Sequence, residues 1–248
     1  NFTPLITALE SAPLADNELC RVFHGRGHTT EHLSHLNIDF YPPCLFLVSY
    51  DEVDAQTLMQ LSEQLWQWAQ QHAKELITSL VFQQRAGQQT ENKLLFGQLP
   101  SPHSVKEGDS EFLVDLMSRQ NTGIFPDMRR GREFVQVHSK HAKVLNLFSY
   151  TCGFSVAAMR GGADSVINMD MNKGVLRTGK QNHQLNGFDR SVSFLPHDIL
   201  KSFGKLKKAG PFDLIIVDPP SFQKGSFILT KDYQKIFLEI TAELEGID

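Results

Sequence analysis

Two different rhythms of apolar and polar residues divide the chain. In residues 1–108, strand-length and helix-length patterns are mixed. The run from Cys44 through Leu45, Phe46, Leu47, Val48 and Ser49 to Tyr50, entered through Pro42-Pro43, reads as a buried strand. Asp54 stands where an N-cap belongs. It precedes positions at Leu58, Leu61, Leu65, Trp68 or Ala69, His72 or Ala73, and Leu76, spaced for a helix whose other face is rich in glutamine. Ser79 to Gln84 predicts a second strand, and Gly97 to Gly108, with Pro100 and Pro102, predicts a linker. This is the pattern of a small α+β domain.

From Val144 the rhythm becomes regular. Val144 to Tyr150 predicts a strand and Gly153 to Arg160 a helix, then Asp164 to Met171 a strand and Lys173 to Leu185 a helix. Ser191 to His197 follows as a strand, Leu200 to Lys208 as a helix, and Phe212 to Val217 as a fully apolar strand. Strands alternating with helices predict a parallel sheet covered on both faces, an α/β architecture. Right-handed crossovers bring the carboxyl ends of such strands to one rim, where open α/β sheets bind their ligands.

Composition sets limits. Hydrophobic residues are 41% and charged residues 21% of 248, an ordinary globular balance that excludes disordered, collagen-like and disulfide-scaffold classes. Cys20, Cys44 and Cys152 form no CxxC pair, so no zinc or disulfide framework is expected. The longest apolar run, Cys44 to Val48, is far below the roughly 20 residues of a membrane span, so no membrane partner is expected. The net charge of −4 is uneven: residues 1–110 carry 6 Lys and Arg against 13 Asp and Glu, and residues 111–248 carry 18 against 15. That asymmetry suggests two parts with different jobs, the later one the better suited to meet a polyanion.

Candidate chemistry concentrates on the predicted rim. After the first strand, Asn146 to Ser155 turns sharply into a helix whose first amides face any ligand there. The turn lacks GxGxxG, which argues against a dinucleotide's pyrophosphate and so against a nicotinamide oxidoreductase. Asp170, followed by Met171, stands at the second strand end, placed to accept hydrogen bonds from ribose hydroxyls. His197-Asp198-Ile199 ends the third strand with an acid and an apolar neighbour suited to an adenine edge and face. Asp218-Pro219-Pro220-Ser221-Phe222 follows the fourth, its prolines fixing an extended turn. Upstream, Arg21 to His28 is dense in Arg, His and Gly; contact with substrate phosphates is its sharper reading, and His24, His28, His32 and His35 lack the partners of a metal site.

Residues from about Glu111 to Tyr233 resemble the class I S-adenosylmethionine-dependent methyltransferases that act on bacterial 23S ribosomal RNA at cytosine carbon 5 or guanine nitrogen 7. The matching motifs are Thr122-Gly123-Ile124-Phe125-Pro126-Asp127-Met128-Arg129 (TGxFxDxR), Phe148 to Ser155 (FSYTGGFS-like), Asp170 and Asp218 to Phe222 (DPPSF). The continuation from Gln223 to Phe227 and from Lys231 to Tyr233 is similar to one subgroup, as are Phe23 to Gly27 and Ile38 to Pro43. The resemblance implies a Rossmann-like class I methyltransferase sheet over 109–248, apparently truncated, preceded by an accessory α+β domain over 1–108 with a role in substrate recognition.

It also implies S-adenosylmethionine as cofactor and a nucleobase of RNA, ribosomal RNA first, as the acceptor, in the cytoplasm. Thr122, Phe125, Asp127 and Arg129 are expected to close over the methionine end. Asn146, Phe148, Ser149, Tyr150, Thr151 and Gly153 belong to the strand end and loop beneath the cofactor; Asp170 with Met171 takes the ribose, Asp198 with Ile199 the adenine. Asp218, Pro219 and Pro220 are expected to line the transfer site and Phe222 to stack on a target base. Cys152 stands where the family pattern has Gly, and no cysteine follows Asp218, as carbon-5 methylation requires. The chain begins at Asn1 and ends at Asp248 short of the sheet's remaining strands, so it is expected to be a fragment. A methyltransferase acting on a small molecule or protein, and a cofactor-binding protein without activity, stay open at this point.

Overall fold

The computed structural model describes residues 2–27, 30–86, 90–118, 121–220, 222–223, 227–228, 233–236 and 238. They form two compact units, Asn1–Asp127 and Met128–Asp248.

The first unit is built on consecutive apolar strands. After α1 (Thr3–Ser11) come β1 (Cys20–His24), β2 (Leu36–Tyr41), β3 (Cys44–Ser49), α2 (Ala55–His72), β4 (Ser79–Gln84) and β5 (Glu91–Gly97), giving a five-stranded sheet in the order β1-β2-β3-β4-β5. Only β3 and β4 run parallel, because α2 carries the chain back between them. Asp54 caps α2 as expected, its carboxylate accepting from the Thr57 amide at 2.9 Å. Leu36, Ile38 and Phe40 of β2 and Leu45 and Leu47 of β3 face the core with Leu61, Leu65 and Ala69 of α2.

Alternation along the strands then sends Asn37, Asp39 and Tyr41 to the opposite face of that sheet, and they too are buried. Part of the expected linker is structured: β6 (His103–Glu107) pairs with β7 (Ser110–Val114) as a hairpin, turning at Gly108, where φ is 56°. Five residues between Pro102 and Gly108 suffice for a short strand, and buried His103 anchors it by donating from Nε2 to the Pro42 carbonyl at 2.8 Å.

In the second unit α3 (Arg129–His138) leads into β8 (Lys143–Leu147), α4 (Gly153–Arg160), β9 (Ser165–Met169), α5 (Lys173–Leu185), β10 (Val192–Leu195), α6 (Phe203–Ala209) and β11 (Leu214–Val217). The four strands form the expected parallel sheet, in the order β10-β9-β8-β11. The fold class read from the sequence is therefore present, a Rossmann-like α/β sheet. Its two faces are buried separately. Val144, Val166 and Ile216 pack with Val135, Ala157 and Ala158 on one side, and Leu145, Leu147 and Met169 pack with Leu206 and Phe212 on the other. Two further short strands, β12 (Phe222–Gln223) and β13 (Phe227–Ile228), pair antiparallel.

A chain of polar side chains crosses the first of those faces. Asn146 of β8 donates from Nδ2 to Oδ1 of Asn168 on β9, and Asn168 donates to Ser155 Oγ on α4, each at 2.9 Å. Ser155 donates to His183 Nε2 of α5, and His183 Nδ1–H donates to the Gly179 carbonyl, each at 2.8 Å. All four side chains are buried, so each must find its partner inside.

Burial holds His183 below its ordinary pKa of 6.5, against the raising effect of its bond to Gly179. Below that value the unfolded chain binds a proton that the folded chain does not, so stability falls as pH drops from 6.5. Thermal melts between about pH 5 and 7.5 should show the wild-type midpoint falling with acid more steeply than that of His183→Gln. Parallel slopes for the two would refute the assignment.

Candidate functional site

The register of the second unit's sheet assembles the rim. Leu195, Met169, Leu147 and Val217 lie side by side across β10, β9, β8 and β11. Asp170, Phe148 and Asp218 each follow directly, so the strand ends deliver them to one edge. Between β8 and β11 the strand order reverses, which is where an open α/β sheet leaves a crevice for a ligand.

The turn from β8 into α4 is held in unusual backbone. Phe148, Tyr150 and Cys152 all take left-handed φ, at 54°, 47° and 65°. For residues bearing Cβ this costs energy and persists only where surroundings enforce it. Asp170 supplies part of that enforcement. Its Oδ2 accepts from the Tyr150 amide at 3.1 Å and its Oδ1 from the Asn172 amide at 2.9 Å. Partial burial raises the Asp170 carboxyl above its ordinary range, and those two amides oppose the rise. The Ser149 amide donates to the Met169 carbonyl and the Cys152 amide to the Ser149 carbonyl. The Asn182 amide reaches the Thr151 carbonyl from α5 at 2.9 Å. Ser149 Oγ, by contrast, is buried beside the Cys152 thiol and has no other hydrogen-bond partner.

Cys152 resolves the departure from the glycine pattern. It adopts the left-handed conformation a glycine would take and caps α4 from there. Its thiol is accommodated by Gly179, where an added Cβ would lie 2.4 Å from Cys152 Sγ. Burial pushes the thiol far up, which removes it from consideration as a nucleophile.

The remaining rim residues are distributed as follows. Met171 is exposed and Gly153 begins α4. Asn146 belongs to the buried polar chain. Asp198 accepts from the Leu200 amide at 3.1 Å and pairs with Lys201 at 3.0 Å, while the Ile199 side chain lies in the core beside Leu206. Asp218 and Pro220 are exposed and Pro219 is partly so. Phe222 has its backbone in β12, and its side chain lies outside what is described, as do Ser221, residues 224–226 and 231–232 entirely. Arg129 opens α3 and pairs with Glu133 at 3.2 Å.

Thr122, Phe125 and Asp127 fall in the first unit. They line a cavity of about 450 Å³ on the sheet face opposite α2. The Thr122 hydroxyl shares a 2.8 Å hydrogen bond with Tyr41, whose own hydroxyl lies 2.9 Å from the Ile124 carbonyl. Arg21 of β1 grips Asp39 of β2 through two contacts, at 2.8 and 3.2 Å, and reaches Asp127 at 3.7 Å. Burial raises the Asp39 carboxyl, with Arg21 opposing. The sequence signal for this cavity was Asn37 and Asp39 inside an otherwise apolar strand, a polar insertion that periodicity alone passes over. Among the described residues, no group of three or more His, Cys, Asp or Glu is arranged to hold a metal, and no helix is long and apolar enough to cross a membrane.

Known proteins agree with this architecture. The family model for S-adenosylmethionine-dependent methyltransferases matches residues 20–245. The Ribosomal RNA large subunit methyltransferase I of Aeromonas salmonicida is 33% identical over 151 residues, covering 60% of this chain and 38% of its own. A solved SAM-dependent methyltransferase from Streptococcus mutans superposes with a TM-score of 0.78 at 24% identity, covering 98% of this chain and 64% of that one. A methyltransferase solved in complex with SAH matches at the same TM-score and identity over 96% of this chain and 64% of its own. The chain thus spans less than two-fifths of that curated relative and under two-thirds of those solved chains.

The fit of Cys152 to Gly179 is testable by a double-mutant cycle. Gly179→Ala should destabilise the protein by about 1–3 kcal/mol through overpacking. Cys152→Gly should change stability by less than about 1 kcal/mol, as relief of left-handed strain offsets lost packing. Combined, Cys152→Gly should recover most of the Gly179→Ala loss in urea unfolding. Simple additivity of the two would show that the residues do not meet.

Proposed function

The chain belongs to the S-adenosylmethionine-dependent methyltransferase family, and from that premise we propose that it transfers the donor's methyl group to a nucleobase of RNA, with ribosomal RNA as the first candidate. The observation that carries the reading is the register that ends four parallel strands together, with Asp170, the Ser149–Gly153 turn and Asp218 following on. The donor set fits S-adenosylmethionine. Asp170 offers carboxylate oxygens for ribose hydroxyls, and the turn carries no glycine fingerprint for a pyrophosphate. Support for RNA as the acceptor comes from the ribosomal RNA methyltransferase relative. Ribosomal RNA as substrate makes the cytoplasm the expected compartment.

When bound, the cofactor supplies a methyl group on a sulfonium, already electrophilic. The protein's task is then alignment and exclusion of water. Asp170 orients the ribose, the Phe148–Gly153 turn supports the donor from below, and Asp198 with Ile199 borders the adenine. Arg129, at the start of α3, meets the charged methionine end. Asp218, held by the Pro219-Pro220 turn, accepts a hydrogen bond from the acceptor base, and Phe222 stacks on it. A base inside RNA structure has first to be unstacked.

Calorimetry with S-adenosylhomocysteine and tritiated methyl transfer to ribosomal RNA together test these roles. Asp170→Ala should weaken cofactor binding by about tenfold or more, the scale of a lost charge-assisted hydrogen bond. Asp218→Ala should lower turnover by about tenfold or more with affinity little changed. Equal loss of affinity in both variants would overturn the division of roles. Label appearing in a small molecule or protein, and not in RNA, would overturn the choice of acceptor.

A further inference from the structure

The cavity of the first unit is polar where a sheet face is ordinarily apolar or wet. It lies over β1, β2 and β3, and the side chains entering it from β2 are Asn37, Asp39 and Tyr41. Asp39 is answered by Arg21, and Tyr41 by Thr122 and Ile124. Asn37 is different: it is 2% exposed, and its Oδ1 has no hydrogen-bond partner. Leaving a buried acceptor unpaired costs about 1–3 kcal/mol, which a ligand N–H reaching it would recover.

The mouth carries positive charge. Arg26 lies 4.3 Å and Arg85 5.7 Å from the centre of the Tyr50 ring, which holds both guanidinium groups at the cavity. Three arginines line the cavity, Arg21, Arg26 and Arg85, against two carboxylates, Asp39 and Asp127, so the lining carries one more positive charge than negative. Aromatic walls, a surplus of arginine and one buried acceptor awaiting an N–H describe a ligand with a flat ring, an N–H edge and an anionic group. The volume of about 450 Å³ falls within the range of small-ligand sites.

We propose that this cavity binds an unpaired nucleotide of the substrate RNA, its base edge donating to Asn37 Oδ1 and its phosphate meeting Arg26. The inference rests on the RNA methyl-transfer reading and assigns it an acceptor-side pocket in the first unit. Single-stranded RNA offers what the cavity lacks, a base with a free hydrogen-bonding edge beside a phosphate.

The test uses the whole chain and a labelled single-stranded oligoribonucleotide, followed by fluorescence anisotropy at several salt concentrations. Arg26→Gln should weaken binding about tenfold and flatten the salt dependence by roughly one phosphate contact. Asn37→Leu should weaken it by a similar factor while leaving the melting temperature unchanged or raised, because an unpaired buried acceptor is replaced by an apolar group of similar size. A purely structural Asn37 would instead lower the melting temperature and leave affinity alone. S-adenosylhomocysteine affinity, measured in parallel, should stay within about twofold in both variants. Were it to fall as far as RNA affinity, the cavity would belong to the cofactor, and the proposal would be overturned. Unaltered RNA binding in both variants would overturn it as well. Failure of the wild type to methylate RNA, with these binding effects intact, would overturn the methyl-transfer reading and leave the nucleotide pocket standing.

Discussion

Parallel strands kept in register must end together, and everything proposed for the second unit depends on that. Leu195, Met169, Leu147 and Val217 form one row, so the next residue of each of three strands is committed to the same edge without any further contact. The carboxyl-end crevice is a product of topology, since the chain lays β9 and β10 to one side of β8 and then returns to place β11 on the other. Side chains enter afterwards, to hold the loops that topology leaves there. Asp170 shows this in its two oxygens, one fastening the turn after β8 and the other the start of α5's approach. One carboxylate thus stiffens two neighbouring loops at once.

Both units bury polar side chains on a sheet face, and the contrast between them separates structure from binding. In the second unit the chain from Asn146 through Asn168 and Ser155 to His183 closes on the Gly179 carbonyl. A network closed in this way ties β8, β9, α4 and α5 together and asks nothing of a ligand. In the first unit Asn37 breaks the pattern, being as buried as those residues yet unanswered at Oδ1. Ser149 in the second unit is not comparable, since its buried hydroxyl lies beside the Cys152 thiol. Unsatisfied buried groups are costly enough that one of them at a concave site points to a ligand more strongly than an exposed charge does.

Much of the second unit was legible because its signals are local. The helices Gly153–Arg160 and Lys173–Leu185 are found at the residues that periodicity marks, and three of the four strands fall inside their predicted runs, β8 starting one residue early at Lys143. The left-handed turn was legible only in part. Gly153 and the small residues around it announce a tight turn, but Cys152 at φ 65° depends on Gly179, 27 residues on, and no local pattern links the two. The first unit was harder to read. Five residues from His103 to Glu107 look like linker between prolines and glycine, and their strand character comes from pairing with β7 and from Pro42 far upstream. The cavity was least legible of all, since its lining comes from three strands, from residues just past strand ends and from a distant loop.

Charge illustrates how a sum over sequence can point away from the site. Residues 1–110 are the acidic part, and on totals alone the basic later part is the better partner for a polyanion. Yet acidic residues spread over a surface are screened over about 8–10 Å at physiological salt, and solvent weakens each one. Two arginines stacked against one tyrosine beside a concave, aromatic wall act at contact distance, where screening is least. A net negative charge over residues 1–110 discourages indiscriminate binding along RNA, while the proposed pocket leaves one place where a phosphate gains. A domain that selects a single unpaired nucleotide needs that arrangement more than a broad positive face, which would hold any duplex equally well.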